Sequence, residues 1–189
     1  GQIEEFDAVN NPEDPDAGTR KVTFSKTIYI DRNDFMEVPP KKYFRMAIGK
    51  EVRLKYAYYV TCREIVRGDN GEIAELICAY DPESRGGGTS DERKVKGTIQ
   101  WVDASSAISC QINLYDRLFS KPNPNEVEEG ADFVDSLNPD SRRVIEQALV
   151  EPSIGKLKVG EPIQLERVGY FCIDPNSTKD ERLILNRSV

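Results

Sequence analysis

Lys41-Lys42-Tyr43-Phe44-Arg45-Met46-Ala47-Ile48-Gly49-Lys50-Glu51-Val52-Arg53-Leu54-Lys55-Tyr56-Ala57-Tyr58-Tyr59-Val60-Thr61 is the one basic block of an acidic chain. From Lys41 to Arg67 eight basic residues (Lys41, Lys42, Arg45, Lys50, Arg53, Lys55, Arg63, Arg67) face two acidic ones, Glu51 and Glu64, about +6, whereas all 189 residues carry −7. From residue 51 onward Val52, Leu54, Tyr56, Tyr58, Val60 and Cys62 alternate with Arg53, Lys55 and Ala57. That period of two predicts a strand over 51–67 with Arg53 and Lys55 on the face away from the apolar set. Tyr43, Phe44, Tyr56, Tyr58 and Tyr59 lie among the cations. Cations attract phosphate, and aromatic faces stack on unpaired bases. A solvated face of an ordinary strand pair has the same composition, and composition alone leaves both readings open.

Working outward, the same periodicity recurs. Asp69-Asn70-Gly71 predicts a hairpin turn, because Asn-Gly accepts the positive φ of a tight turn, with a return strand over 72–80. Residues 21–31, 94–102, 111–119, 161–172 and 183–185 also read as strands. In 161–172, Ile163, Leu165 and Arg167 fall opposite Gln164 and Glu166. Pro39-Pro40 breaks the chain before the basic block. Residues 104–108 suggest a helical turn, and the acidic stretch 126–135 a loop with one helical turn. Residues 140–150 are ambiguous: Asp140 or Ser141 could cap a helix, while Val144, Ile145, Leu149 and Val150 suit a strand. Residues 1–19 are polar and acidic, with Pro12 and Pro15, and read as a linker or a clamp. Some eight short strands indicate an all-β barrel or sandwich. Trp101 is expected in the core, and Arg117 is expected to pair with Asp116 or a neighbouring carboxylate.

Several functions are excluded. No apolar run approaches the ~20 residues of a membrane span. The acidic start, Gly1-Gln2-Ile3-Glu4-Glu5, has no signal-peptide pattern and no initiating Met, so the chain reads as a fragment. With no histidine, a Ser-His-Asp or Cys-His nucleophile cannot be assembled. Cys62, Cys78, Cys110 and Cys172 are scattered, which predicts reduced, buried cytosolic thiols rather than a zinc site. Gly86-Gly87-Gly88 lacks a following Lys-Ser and reads as a flexible loop.

Five motifs occur in order: Gly49-Lys50-Glu51-Val52-Arg53-Leu54; Arg93-Lys94-Val95-Lys96-Gly97-Thr98-Ile99-Gln100-Trp101-Val102; Leu114-Tyr115-Asp116-Arg117-Leu118-Phe119; Gln164-Leu165-Glu166-Arg167-Val168-Gly169-Tyr170-Phe171-Cys172; and Asn186-Arg187. Together they resemble the C-terminal anticodon-binding region of bacterial glutaminyl-tRNA synthetases, class I aminoacyl-tRNA synthetases. Archaeal-type glutamyl enzymes share the architecture. The resemblance runs from about residue 20 to 189.

The resemblance implies an all-β fold of two interleaved six-stranded β-barrels of the ribosomal-protein-like anticodon-binding type. Residues 1–20 would be an acidic lead-in, 21–40 with 111–189 the proximal barrel, and 41–110 an inserted distal barrel, with strands exchanged between them. It implies reading of the anticodon loop of the glutamine tRNA on behalf of a catalytic domain in cis. The fragment itself would have no catalytic residue, metal site or cofactor; ATP and Mg would belong to the catalytic domain. A cytoplasmic monomer with no membrane partner is expected. The implied site is Arg45, Arg53 and Lys55, with Lys42 and Tyr43 beside them, and Gln164, Glu166 and Arg167 from the other barrel. Anticodon bases splayed from a loop expose edges that need donors and acceptors, which Arg, Gln and Glu supply. Lys55 stands where a close relative has Arg, and Phe44 where one has Lys. The equivalent domain of a glutamyl enzyme, a free-standing structured-RNA binder and a protein-docking module are the competing readings.

Overall fold

The computed structural model describes residues 3–177 and 182–188. Among them the helical elements are 3-10 turns of three to five residues, and the rest of the regular structure is strand, so the all-β expectation holds. The chain divides into two compact units, Gly1–Ser106 and Ala107–Val189.

The first unit holds β1 (Glu4–Val9), β2 (Thr19–Phe24), β3 (Ile28–Ile30), β4 (Glu51–Leu54), β5 (Tyr59–Arg67), β6 (Ile73–Asp81), β7 (Thr98–Ile99) and β8 (Trp101–Asp103). Among the described residues the hydrogen-bonded ladders trace open sheets, ordered β1-β2, β3-β8 and β6-β5-β4-β7. Residues 4–9, read from sequence as part of a linker, are instead a strand paired with β2, Phe6 opposite Val22 and Asp7 opposite Lys21. The reason is a short apolar stripe hidden by charge. Phe6 and Ala8 are buried, while the intervening Asp7 takes an ion pair from Lys21 across the hairpin at 2.8 Å. Phe6 meets Phe24 and Tyr58 edge-on at 6.1 and 5.4 Å, and Phe24 meets Trp101 at 5.5 Å. Edge-to-face pairs add about 0.5–1.5 kcal/mol each beyond their burial.

Residues 21–40, expected to share a barrel with 111–189, cluster with the first unit. There β3 pairs with β8, Ile28 opposite Asp103. The Asp69-Asn70-Gly71 turn is present, with Gly71 at φ +78°. The register it sets places Cys62 opposite Cys78. All four cysteines are free thiols; Cys62 and Cys110 are buried as expected, whereas Cys172 is half-buried and Cys78 exposed.

Two contacts hold the basic block in place. A Cβ at Gly97 would lie 2.1 Å from the Phe44 carbonyl oxygen, and the Gly97 carbonyl accepts the Arg53 N–H at 2.8 Å. Gly97 thus seats the Phe44–Arg45 segment beside β4. Arg93 binds Glu51 through Nε at 2.9 Å, Asp91 at 3.0 Å, and Asp81, with its guanidinium 5.2 Å from the Tyr59 ring centre.

The second unit is one sheet ordered β10-β9-β13-β12-β11, built from β9 (Ile108–Tyr115), β10 (Arg142–Val150), β11 (Pro162–Leu165), β12 (Gly169–Ile173) and β13 (Leu183–Arg187). β13 runs parallel to β9 and the other pairs are antiparallel. Cys110, Ile112, Val150, Ile154, Phe171, Ile173 and Leu185 form its core. The ambiguous stretch 140–150 is a strand. A bulge between Ile145 and Ala148 adds one residue and interrupts its period of two, and Asp140 and Ser141, which could have capped a helix, precede the strand instead. The stretch 161–172, read as one strand, is the β11–β12 hairpin.

Gly97→Ala should destabilise the chain by about 1–3 kcal/mol in urea unfolding, because the obstructing atom belongs to backbone. Arg93→Met should act through Asp81, whose carboxyl the Arg93 guanidinium holds below its ordinary value, helped by the Glu83 N–H. A carboxyl with a lowered native pKa stabilises the fold above its unfolded value and loses that contribution as pH falls through the native one. The variant should therefore melt below wild type at pH 7, with the gap narrowing once the pH drops below about 4.

Candidate nucleic-acid interface

The 51–67 stretch is not one strand but a tight hairpin. Leu54 N–H donates to the Tyr58 carbonyl at 2.8 Å and Ala57 N–H to the Leu54 carbonyl at 3.0 Å. Tyr56 turns the corner at φ +67°. No Gly or Asn marks that corner, so the alternation runs through it unbroken in the sequence. The core fixes the turn: Trp101, buried as expected, donates Nε1–H to the Lys55 carbonyl at 2.9 Å, and Lys55 N–H donates to the Ile99 carbonyl at 3.1 Å. Lys55 Nζ stands 5.2 Å from the Tyr56 ring centre.

Val52 and Leu54 are fully buried while Arg53 and Lys55 are half-buried, so the expected division of faces holds for β4. Arg53 lies under the glycine loop. A Cβ at Gly87, itself at φ +90°, would sit 2.8 Å from Arg53 Cδ. Tyr59 Oη donates to the Gly87 carbonyl at 3.1 Å, and Gly86 N–H donates to the Ala57 carbonyl at 2.8 Å. The loop is a cover anchored on the β4–β5 hairpin. The Arg53 Nε is buried without a hydrogen-bond partner.

Arg45 is held from beneath. Its guanidinium is 3.0 Å from Asp34 Oδ1, with the Arg45 side chain 40% exposed and that of Asp34 only 2%. It also donates to the Asn33 carbonyl at 3.3 Å, and Tyr43 Oη donates to that same oxygen at 3.3 Å. Part burial raises the Tyr43 phenol above its ordinary range, so the hydroxyl remains a donor. Lys42 is exposed in the turn that precedes them.

In the second unit Gln164 sits on β11, exposed, opposite Tyr170. Glu166 and Arg167 form the hairpin tip, closed by Val168 N–H donating to the Leu165 carbonyl at 2.9 Å. Both are exposed. Arg167 is in the left-handed region at φ +65°. The expected pairing of Arg117 with Asp116 takes another form: the carboxylate accepts the Arg117 backbone N–H at 2.7 Å.

The structure therefore gathers the candidates into two local groups. Lys42, Tyr43, Arg45, Arg53 and Lys55 share the first unit, and Gln164, Glu166 and Arg167 share one hairpin of the second. Sequence reasoning missed the supports: Asp34 under Arg45, Gly97 against Phe44, and Gly87 over Arg53. Glycines next to a basic block were the available signal for the last two. For Asp34 the sequence offered none.

Two family profiles match the chain, both described as anti-codon binding domains of class I tRNA synthetases (E and Q), one over residues 1–81 and the other over 98–174. The chain belongs to this family. It is similar to glutamine–tRNA ligases along its whole length: 46% identical over all 189 residues to that of Nitrobacter winogradskyi and 47% to that of Clostridium perfringens, covering 33% and 34% of those proteins. With that of Bradyrhizobium diazoefficiens it shares 47% over 178 residues, 94% of this chain and 31% of the relative. The chain spans about a third of the length of the curated relatives it matches. Among the described residues no helix is long and apolar enough to cross a membrane.

The left-handed tip makes a separable prediction about this family's hairpin. Left-handed backbone costs an L-residue about 1–2 kcal/mol, and glycine removes that cost while giving back part of it as unfolded-state entropy. Arg167→Gly should leave urea stability unchanged or raise it by up to about 1 kcal/mol. A clear loss would mean that the Arg167 side chain, rather than the tip geometry, holds the hairpin.

Proposed function

We propose that this chain is the anticodon-reading part of a glutamine–tRNA ligase and that its partner is the glutamine tRNA. Joining glutamine to the tRNA, with ATP and Mg, falls to a catalytic domain in cis. The setting is the cytoplasm, and the working form is a monomer. The observation that carries the reading is the 46–47% identity to glutamine–tRNA ligases over the full length of the chain, which favours glutamine over glutamate specificity.

The chemistry of the two groups agrees with it. Unpaired loop bases present their Watson–Crick edges. Arg45, braced by Asp34 on one side and exposed on the other, offers a planar fork to paired acceptors. Gln164 offers an amide donor and a carbonyl acceptor. Glu166 accepts from base amino groups or orients Arg167. Arg53, Lys55 and Lys42 neutralise phosphates, with Tyr43 fixed beside Arg45.

Filter binding with glutamine and glutamate tRNAs tests this. Glutamine tRNA should bind more tightly, and its affinity should fall as salt rises, through phosphate contacts. Equal binding of both tRNAs, or none, refutes it. Arg45→Ala would remove the cation beside the buried Asp34 carboxylate, so Arg45→Lys is the cleaner variant: it keeps a positive charge for Asp34 but loses the fork. It should cost about 1–3 kcal/mol of discrimination between tRNAs. An equal loss for every tRNA would make Arg45 a phosphate contact instead.

A further inference from the structure

Cys62 and Cys78 face each other across the β5–β6 hairpin of the first unit, and the backbone shows how closely. Leu54 N–H donates to the Tyr58 carbonyl, so these two make a hydrogen-bonded pair of the β4–β5 hairpin. Val52 and Val60, two steps along, make the next one. Val60 therefore turns its backbone N–H and C=O toward β4. Residues two apart repeat that direction, so Cys62 does the same. Its carbonyl accordingly accepts the Gly49 N–H at 2.9 Å on the β4 side. Toward β6, Cys62 and Cys78 are then a non-hydrogen-bonded pair. Such pairs hold their Cα atoms about 4.5 Å apart, closer than hydrogen-bonded pairs at about 5.5 Å. A disulfide spans Cα separations of about 4.4–6.8 Å.

The two side chains also share a face. Val60 and Cys62 point into the core, and their partners Tyr80 and Cys78 point the same way. The Tyr80 ring bears this out, lying 4.9 Å from that of the buried Tyr58. Cys62 is fully buried, whereas Cys78, on the outer strand of the sheet, is exposed. The thiols stand within hydrogen-bond reach of each other. The second unit has no equivalent among the described residues: β13 separates β9, which carries Cys110, from β12, which carries Cys172.

The ladder has give at this place. One extra residue on β5 bulges between Cys62 and Glu64, and a second irregularity follows between Val66 and Arg67. A bulge bends and twists its strand, so a small approach of the two Cα atoms is taken up there rather than in the core.

We propose that Cys62 and Cys78 are a site of reversible disulfide formation, a redox-sensitive staple across β5 and β6 that a low-molecular-weight disulfide such as glutathione disulfide closes. Cys78, the accessible thiol, loses its proton and attacks one sulfur of glutathione disulfide, expelling a glutathione thiolate. Cys62 then loses its proton and attacks Cys78 Sγ in the mixed disulfide, expelling the second. The chain gives up two protons and two electrons, and glutathione disulfide becomes two glutathiones. Burial pushes the Cys62 thiol above its ordinary value and the Cys78 thiol to about 12. Little thiolate is therefore present near neutrality, and the exchange is slow. A reducing pool keeps the pair as the free thiols seen here. Closing it ties the outer strand to the strand whose Cys62 carbonyl holds Gly49, at the end of the segment that carries Tyr43 and Arg45. The proposal does not depend on the anticodon-reading function.

The test is overnight oxidation of the reduced chain with glutathione disulfide at mildly alkaline pH. Tryptic peptide mapping by mass spectrometry should find the Cys62 and Cys78 peptides joined, with two hydrogens lost. Excess reduced glutathione should reverse the change. The oxidised chain should melt about 5–10 °C above the reduced one, because the bridge closes a loop in the unfolded chain. Cys78→Ser, at an exposed position, should abolish both the joined peptide and the shift, while Cys172→Ser keeps both. Circular dichroism checks that each variant is folded, and the wild-type peptide map decides even if one is not. Overturning results are the absence of a joined peptide, a glutathione left on Cys78 as a mixed disulfide, a bridge between two chains, and a bridge that forms without raising the melting temperature. A shift that persists in Cys78→Ser would overturn it equally.

Discussion

The closest constraint in the first unit is between two backbones. The space a side chain would need at residue 97 is taken by the Phe44 carbonyl, and the Gly97 carbonyl is spent on Arg53. This approach ties a segment with little regular structure of its own, residues 43–48, to the edge of a sheet. On its far side the segment is held by Met46 N–H to the Asp34 carbonyl at 2.9 Å and Met36 N–H to the Met46 carbonyl at 3.1 Å. Met46 and Ala47 are consequently buried, which leaves Tyr43 and Arg45 to reach the Asn33 carbonyl and Asp34. The basic block is thus shaped mainly by backbone contacts, and its side chains are left for recognition.

Three non-glycine residues among those described have positive φ: Tyr56, Glu92 and Arg167. Two of them stand at the tips of the hairpins that carry the candidate site residues. Such backbone costs energy and persists where surrounding structure over-determines it. At the first tip the over-determination is visible: Trp101 holds the Lys55 carbonyl, and Leu54 and Tyr58 close the loop. A short tip held this way projects a charged side chain from a rigid base, and ordering it on binding costs less entropy than ordering a long loop would.

The legible and illegible parts of the sequence divide along the same line. Period-two alternation revealed the strands, and the Asn-Gly pair revealed the turn between β5 and β6, because each is a local consequence of backbone geometry. The same alternation misled wherever a turn was made without turn residues. Tyr56 and Arg167 occupy positions at which sequence rules expect Gly or Asn, so 51–67 and 161–172 each read as one strand. In 142–150 a bulge interrupts the alternation, so the cap residues Asp140 and Ser141 ahead of it left a helix as an alternative. The candidate residues were legible through family motifs. Their supports were not: the contact of Arg45 with Asp34 joins a loop residue to a buried carboxylate, and no spacing announces it.

Charge had the same double reading. A net −7 disfavours binding a polyanion, yet part of the acid is engaged in caps and ion pairs of the fold. Asp14, Asp31, Asp81 and Asp132 each accept a backbone N–H at the start of a 3-10 turn. Asp7 answers Lys21, and Asp81, Asp91 and Glu51 surround Arg93. A paired or capping carboxylate projects far less field than a bare one, and screening at physiological salt confines what remains to about 8 Å. What an approaching phosphate meets is therefore set by the residues nearest it. At the β4–β5 hairpin those are Arg53 and Lys55, and at the end of the second sheet Arg142, Arg143 and Arg187. An acidic protein can present basic ground locally because its acids are tied down elsewhere.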